Sequence, residues 1–283
     1  GAATLLVASV AAGQTGAGNA EQAPEPIPVE QFFQYPAVLE AKLSPSGRKL
    51  ALTTSRGGKR VALVVIELGD APKATRAGAF SDADIVRFDW VGEDRLVFSV
   101  RDLETGSGED QRFAPGLYSA NADGSDLRQL VRRRGLPFVG APNSRDRSLE
   151  WNHTLLHVPL QQAGVAPDEV LVGKLEFGRD ALESVTPLWL NVRSGRTRSA
   201  DLDGSPSHAV EWLFDSKGQA RVAMTRHAGR AAVHWHGPGE TRWRQLIESD
   251  LLNLPFEPQA VDAAGTLYVR HNEGPAGYAV LSR

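Results

Sequence analysis

His227, His234 and His236 fall between positions 227 and 236. Side chains alternate along a strand, so His234 and His236 share one face of it. Neutral imidazoles placed in this way have the chemistry to bind zinc. Trp235 stands between them, arginines surround them, and no carboxylate sits at ligand spacing on the same strand. The segment therefore reads as a sheet strand with one wet face, and no metal is assigned to it. Asp168-Glu169 is an acidic pair able to hold an ammonium group, but its place in a strand-connecting turn is where solvated carboxylates are the norm. His153, His157, His208 and His271 are scattered, and a Ser/His/Asp arrangement cannot be read from sequence distance. A nucleophile elbow requires Gly-x-Ser-x-Gly between a strand and a helix. Gly204-Ser205-Pro206 and Gly106-Ser107-Gly108 lack that pattern, and no βαβ alternation follows. Cysteine is absent, which removes disulfides, thiolate metal sites and a Cys nucleophile. No catalytic, cofactor-binding or metal residue is assigned.

The elements that would position any site are short strands between tight turns. Val38 to Leu43 is followed by Ser44-Pro45-Ser46-Gly47, then Lys49 to Thr54, an Arg56-Gly57-Gly58-Lys59 hairpin and the apolar run Val61 to Leu68. Pro presets φ at one turn position and Gly tolerates positive φ, while Val, Ile, Leu and Thr fill the runs between. A short fourth segment, Lys73 to Arg76, ends the first unit. The second unit runs through Ile85 to Trp90, Arg95 to Val100, Phe113 to Ala120 and Leu127 to Val131. The third has His153 to Leu160, Val170 to Phe177, Leu188 to Val192 and Thr197 to Leu202. The fourth has His208 to Phe214, Ala220 to Arg226, Ala231 to His236 and Trp243 to Ile247. The fifth has Pro258 to Val261, Thr266 to Arg270 and Tyr278 to Ser282.

The turn between first and second strands begins at Ser44, Trp90, Ala166, Asp215 and Asp262. It recurs about every 47 residues apart from one longer step, a period that marks a β-propeller with four strands per blade. The long step carries the Arg- and Pro-rich insertion Arg132 to Asn152, and long loops in compact domains tend to be lids or binding loops. The expected fold is all-β: a β-propeller of four-stranded antiparallel blades, about four blades plus an incomplete fifth, at residues 37–80, 81–131, 150–203, 205–250 and 256–283. Most of the six tryptophans stand beside blade turns and are expected to pack between blades.

At 283 residues, the chain can bury a sizeable core as one all-β domain. With 23% charged residues and a net charge of −3, its electrostatics argue against nucleic acid as a partner. The basic cluster Arg132-Arg133-Arg134 is short and reads as a solvated loop. Gly1 to Ala20 is uncharged, and its apolar run Ala2 to Ala12 is too short to span a bilayer. It suits the back half of a secretory signal, with small residues near Ala11 or Ala20 for cleavage. The expectation is a periplasmic or secreted protein with a partial signal at 1–20 and a Pro-rich linker plus short helix at 21–36. Because the last unit lacks a fourth strand, the chain is expected to be a piece of a longer one.

Ile27-Pro28-Val29-Glu30-Gln31-Phe32-Phe33 followed by Leu43-Ser44-Pro45-Ser46-Gly47-Arg48-Lys49-Leu50-Ala51 resembles the opening of exported bacterial members of the prolyl oligopeptidase family of serine peptidases. Phe88-Asp89-Trp90 with Arg95-Leu96-Val97-Phe98, and Leu190-Asn191-Val192-Arg193-Ser194-Gly195-Arg196, resemble the same family. The likeness covers the chain from about residue 27 onward and points to the dipeptidyl aminopeptidase and acylaminoacyl-peptidase types. It implies a propeller that caps a C-terminal α/β-hydrolase domain, restricts access to its serine and admits short peptides. That catalytic domain is absent from this sequence, so the expected partners are peptide substrates, met through the parent enzyme, and the missing domain. In this family an acidic pair holds the substrate's α-ammonium group, the role weighed for Asp168-Glu169. Two other readings stand beside this one. The first is a stand-alone TolB-like periplasmic protein-binding propeller. The second is a propeller lyase or glycosidase with His and carboxylates converging on the channel.

Overall fold

The computed structural model describes residues 37–55, 60–103, 115–133, 147–160, 168–179, 181–273 and 278–282. The leader, linker and short helix expected at 1–36, the hairpin at 56–59 and the middle of the insertion lie outside them. So do Gly106-Ser107-Gly108 and the start of the turn at Ala166. The described residues belong to one compact unit, Pro36–Arg283.

Among the described residues nineteen strands form five antiparallel sheets. Sheet 1 has β1 (Val38–Leu43), β2 (Lys49–Thr54), β3 (Ala62–Glu67) and β4 (Lys73–Gly78). Sheet 2 has β5 (Asp84–Val91), β6 (Arg95–Arg101), β7 (Leu117–Asn121) and β8 (Arg128–Val131). Sheet 3 has β9 (His153–His157), β10 (Glu169–Phe177), β11 (Leu182–Asn191) and β12 (Thr197–Ser199). Sheet 4 has β13 (Ala209–Phe214), β14 (Ala220–His227), β15 (Arg230–Trp235) and β16 (Arg244–Asp250). Sheet 5 has β17 (Glu257–Val261), β18 (Leu267–Glu273) and β19 (Tyr278–Ser282). Within each sheet every strand pairs with the next one in the chain. Such a meander needs only short connections, which is why turn chemistry is so legible in the sequence.

The tight turns share one construction. Asp215 Oδ1 accepts from the backbone N–H of Lys217 and Gln219, while the Gly218 N–H donates to the Asp215 carbonyl. Gly218 sits at φ +78°, and Gly47 holds the corresponding place after Ser44 at φ +72°. A side chain is strained there, so glycine is favoured. Asp262 closes its turn in the same way, accepting from Ala264 and Thr266.

Alternation along the strands then decides what packs on what. In sheet 2, Phe88, Trp90, Leu96 and Phe98 face sheet 1 and join Leu63 and Val65 in one cluster. Val91, Val97, Leu117 and Leu130 face sheet 3 and meet Val170, Val172 and Leu190. Sheet 3 meets sheet 4 through Leu171, Trp189, Phe214 and Ala220, and sheet 4 meets sheet 5 through Val222, Val233, Val261 and Leu267. Each fully buried large apolar side chain stabilises the fold by roughly 1.5–3 kcal/mol, so these interfaces supply the main driving force. The sheets thus stack face to face in chain order, a propeller-like arrangement.

Two details differ from the sequence reading. β11 starts six positions earlier than expected, at Leu182, with Pro187 inside the strand. Pro187 stands opposite Gly173 of β10, while β12 begins its pairing only at Leu188. The proline can therefore turn its missing donor toward an edge with no partner strand. The end of the insertion is also not a plain loop. The Leu149 N–H donates to Leu130 O (2.7 Å) and the Arg132 N–H donates to Leu149 O (2.9 Å), laying this segment parallel along β8. It covers the last edge of sheet 2, where backbone groups would otherwise be unpaired.

Candidate functional site

The first strands of sheets 1 and 2 are tied by Lys42. Its ammonium donates to the Phe88 carbonyl (2.7 Å) and to Asp89 Oδ1 (2.6 Å), and lies 3.0 Å from Glu40. Burial works to lower the pKa of this lysine, but the hydrogen bonds and charges of Asp89 and Glu40 outweigh it and hold the pKa above the usual value. Asp89 is thereby ion-paired. Glu93 makes a second link, accepting from Ser44 Oγ (2.7 Å) and from the Ser46 N–H (3.0 Å).

Sheets 2 and 3 are pinned at the end where the tight turns lie. Arg95 is wholly buried and donates to Asn121, Asp126, Ser119 and the Val192 carbonyl. Ser119 Oγ donates to that carbonyl as well, at 2.7 Å. Arg221 plays a similar part within sheet 4, donating to Asp215 Oδ2 and to the carbonyls of His236 and Gly237.

At the opposite end the two sheets part and leave a cleft of about 550 Å³. β5 contributes Arg87 and Asp89, β6 contributes Ser99 and Arg101, and β9 lines it from His153 to His157. Leu175, Phe177 and Leu182 form an apolar wall. Arg87 pairs in register with Ser99, and Arg101 lies two residues further along β6. Both arginines are therefore on one sheet face as diagonal neighbours, with backbones roughly 7–8 Å apart. Both are exposed. Neither guanidinium has a hydrogen bond or ion pair among the described residues. The nearby carboxylates are engaged elsewhere: Asp89 by Lys42, and Asp84 by Arg60 and by the N–H groups of Val61 and Leu103.

His153 is buried beside this cleft, with Nδ1 3.0 Å from the Glu150 carbonyl; burial lowers its pKa, and that carbonyl only partly offsets the effect. His157 stacks on Phe214 (ring centroids 5.7 Å apart), and its Nε2 is buried without a partner. Burial lowers its pKa too, against the opposing influence of Asp215.

The three histidines His227, His234 and His236 do not come together. His227 stacks on His208 at 4.2 Å, His236 stacks on Trp243, and His234 Nε2 lies 3.4 Å from Thr225 Oγ1. Among the described residues no three His, Cys, Asp or Glu side chains are grouped to hold a metal ion. Asp168 is paired with Arg193 at 2.9 Å and Glu169 with Arg198 at 2.6 Å. Sequence reasoning passed over Arg87 and Arg101. The available signal was charge at alternate positions of β5 and β6, on the face where Val91 and Val97 are buried.

No helix among the described residues is long and apolar enough to cross a membrane. No protein-family model matches the chain, and no curated protein matches it. Solved structures similar in fold include a puromycin-hydrolysing peptidase of Mycobacterium tuberculosis, at 13% identity and TM-score 0.35, covering 88% of this chain and 33% of that one. An oligogalacturonate lyase in complex with manganese matches at 13% identity and TM-score 0.46, covering 85% and 60%. An acylaminoacyl peptidase of Pyrococcus horikoshii matches at 11% identity and TM-score 0.47, covering 84% and 36%. The chain thus spans less than two thirds of each of these proteins. None of these values assigns it a family or an activity.

Proposed function

We propose that this chain is the N-terminal β-propeller portion of an exported serine peptidase of the prolyl oligopeptidase family. On this reading the five sheets are four blades and most of a fifth, following a signal at 1–20 and a linker at 21–36. Its work is to admit and orient short peptides for a hydrolase domain further along the polypeptide, and by itself it is catalytically silent. The observation that carries the proposal is the order of the sheets. Each four-stranded meander packs face to face on the next, and the first strands β5 and β9 edge an open cleft. A cleft of that size between strands of neighbouring blades suits a short extended segment better than a folded protein.

The test is the reading frame beyond Arg283. Further blades leading into Gly-x-Ser-x-Gly on a strand-to-helix turn support the peptidase, and a fluorophosphonate probe should then label the full-length protein. A stop codon soon after Arg283 removes the peptidase and leaves a binding propeller.

A further inference from the structure

We infer that the cleft between sheets 2 and 3 holds the free C-terminal carboxylate of a short peptide through Arg87 and Arg101; this rests on the peptide-admitting role proposed above. Two guanidinium groups at diagonal positions of one sheet face repel each other unless an anion lies between them. Here no described carboxylate does so, because Asp84 and Asp89 are already bound by Arg60 and Lys42. Guanidinium is planar with paired donors and matches a carboxylate's two oxygens. Leu175 and Phe177 of β10 give the same cleft an apolar part. A ligand that fits both halves carries its anionic group at one end and an apolar side chain beside it. The last residue of a peptide has that form. Sheet geometry keeps the site in place: Phe88 and Val100, adjacent to the two arginines, are buried against sheet 1 and fix the backbones of β5 and β6.

The experiment is calorimetric binding to the purified protein, using tri-leucine with a free C-terminus, tri-leucine amide, inorganic phosphate and a uronic-acid trisaccharide. The acid should bind at least tenfold more tightly than the amide. In the Arg87→Gln/Arg101→Gln double variant the two peptides should bind equally. Both residues are exposed, so an unchanged melting temperature should accompany the loss. Equal binding of acid and amide to the unaltered protein, or discrimination that survives the double substitution, overturns the carboxylate site while leaving peptide admission intact. Binding of the trisaccharide with no binding of either peptide overturns both. Phosphate binding as tight as that of the peptide acid shows a general anion site and also overturns the proposal. The reading is of binding alone, so it does not depend on finding a hydrolase domain.

Discussion

The guanidinium of Arg95, with no solvent exposure, donates to the carbonyl oxygen of Val192 at 3.2 Å, joining β6 of one sheet to the turn that follows β11 of the next. Asp126 (2.7 Å), Asn121 and Ser119 accept further bonds from its two terminal nitrogens, while its Nε is buried without a hydrogen-bond partner among the described residues. Desolvation is offset only while that set is complete.

Arg95→Met should therefore lower the stability by about 2–3 kcal/mol, less than a fully enclosed pair because Asp126 remains half in water. Urea denaturation should show a lower midpoint with an unchanged slope.

Two glycines with similar φ should respond differently to alanine. At Gly47 the space for a Cβ is open, so only the backbone conformation is strained and the loss should be about 1 kcal/mol. At Gly218 the new methyl would collide with the Trp189 ring at the interface of sheets 3 and 4, raising the loss to about 2–4 kcal/mol. Thermal melts of the two variants give the comparison directly.

Stability should fall on mild acidification. Burial lowers the pKa of His153, His157 and His234 below the ordinary histidine value. Between each lowered value and about 6.5 the unfolded chain binds a proton that the folded one does not, so stability declines as pH drops through that window. Urea midpoints measured from pH 7.5 to 5 should show this. A His153→Gln/His234→Gln variant should show a flatter dependence.

The acidic pair Asp168 and Glu169 should be replaceable. Each carboxylate is held by an arginine of its own sheet, so Asp168→Asn and Glu169→Gln should cost about 1 kcal/mol or less apiece. Peptides with free and acetylated N-termini should keep their relative affinities for the protein in both variants, as measured by competition binding. A lost preference would return the pair to the role of ammonium binder.

Leu149→Pro should expose the edge of sheet 2. It removes the N–H donated to Leu130 and leaves that carbonyl unpaired, at a cost of about 1–3 kcal/mol. Hydrogen exchange at Arg132, whose N–H donates to Leu149, should speed up while exchange in sheet 4 stays as it was.

Much of this architecture is local and therefore legible along the chain. Asp215-Ser216-Lys217-Gly218 announces its turn because the capping carboxylate and the positive-φ glycine act within four residues of each other. The Val-, Leu-, Ile- and Thr-rich runs of β2 and β3 mark them as strands without reference to any other sheet, although Leu52, Val64 and Ile66 are half-buried beside the buried Ala51, Leu63 and Val65. Where a local rule competed with a tertiary one, the sequence reading fell short. Pro187 looks like a strand end, yet it sits inside β11 because the partner strand on one side has stopped. Leu149 looks like part of a loop, yet a distant edge recruits its backbone.

Residue types and spacing alone thus determined the strands, their turns and the antiparallel pairing of neighbours, since those depend on contacts a few residues apart. Only the tertiary structure decided which charged groups find partners. His227, His234 and His236 are close in sequence yet separate onto different partners, His208, Thr225 and Trp243. Arg87 and Arg101 share one face of the β5–β6 hairpin, but stacking of sheet 1 is what gives Asp89 to Lys42 and Asp84 to Arg60. The physical reason is that ion pairing depends on distances between side chains of different strands and sheets, and those distances exist only once the sheets have stacked.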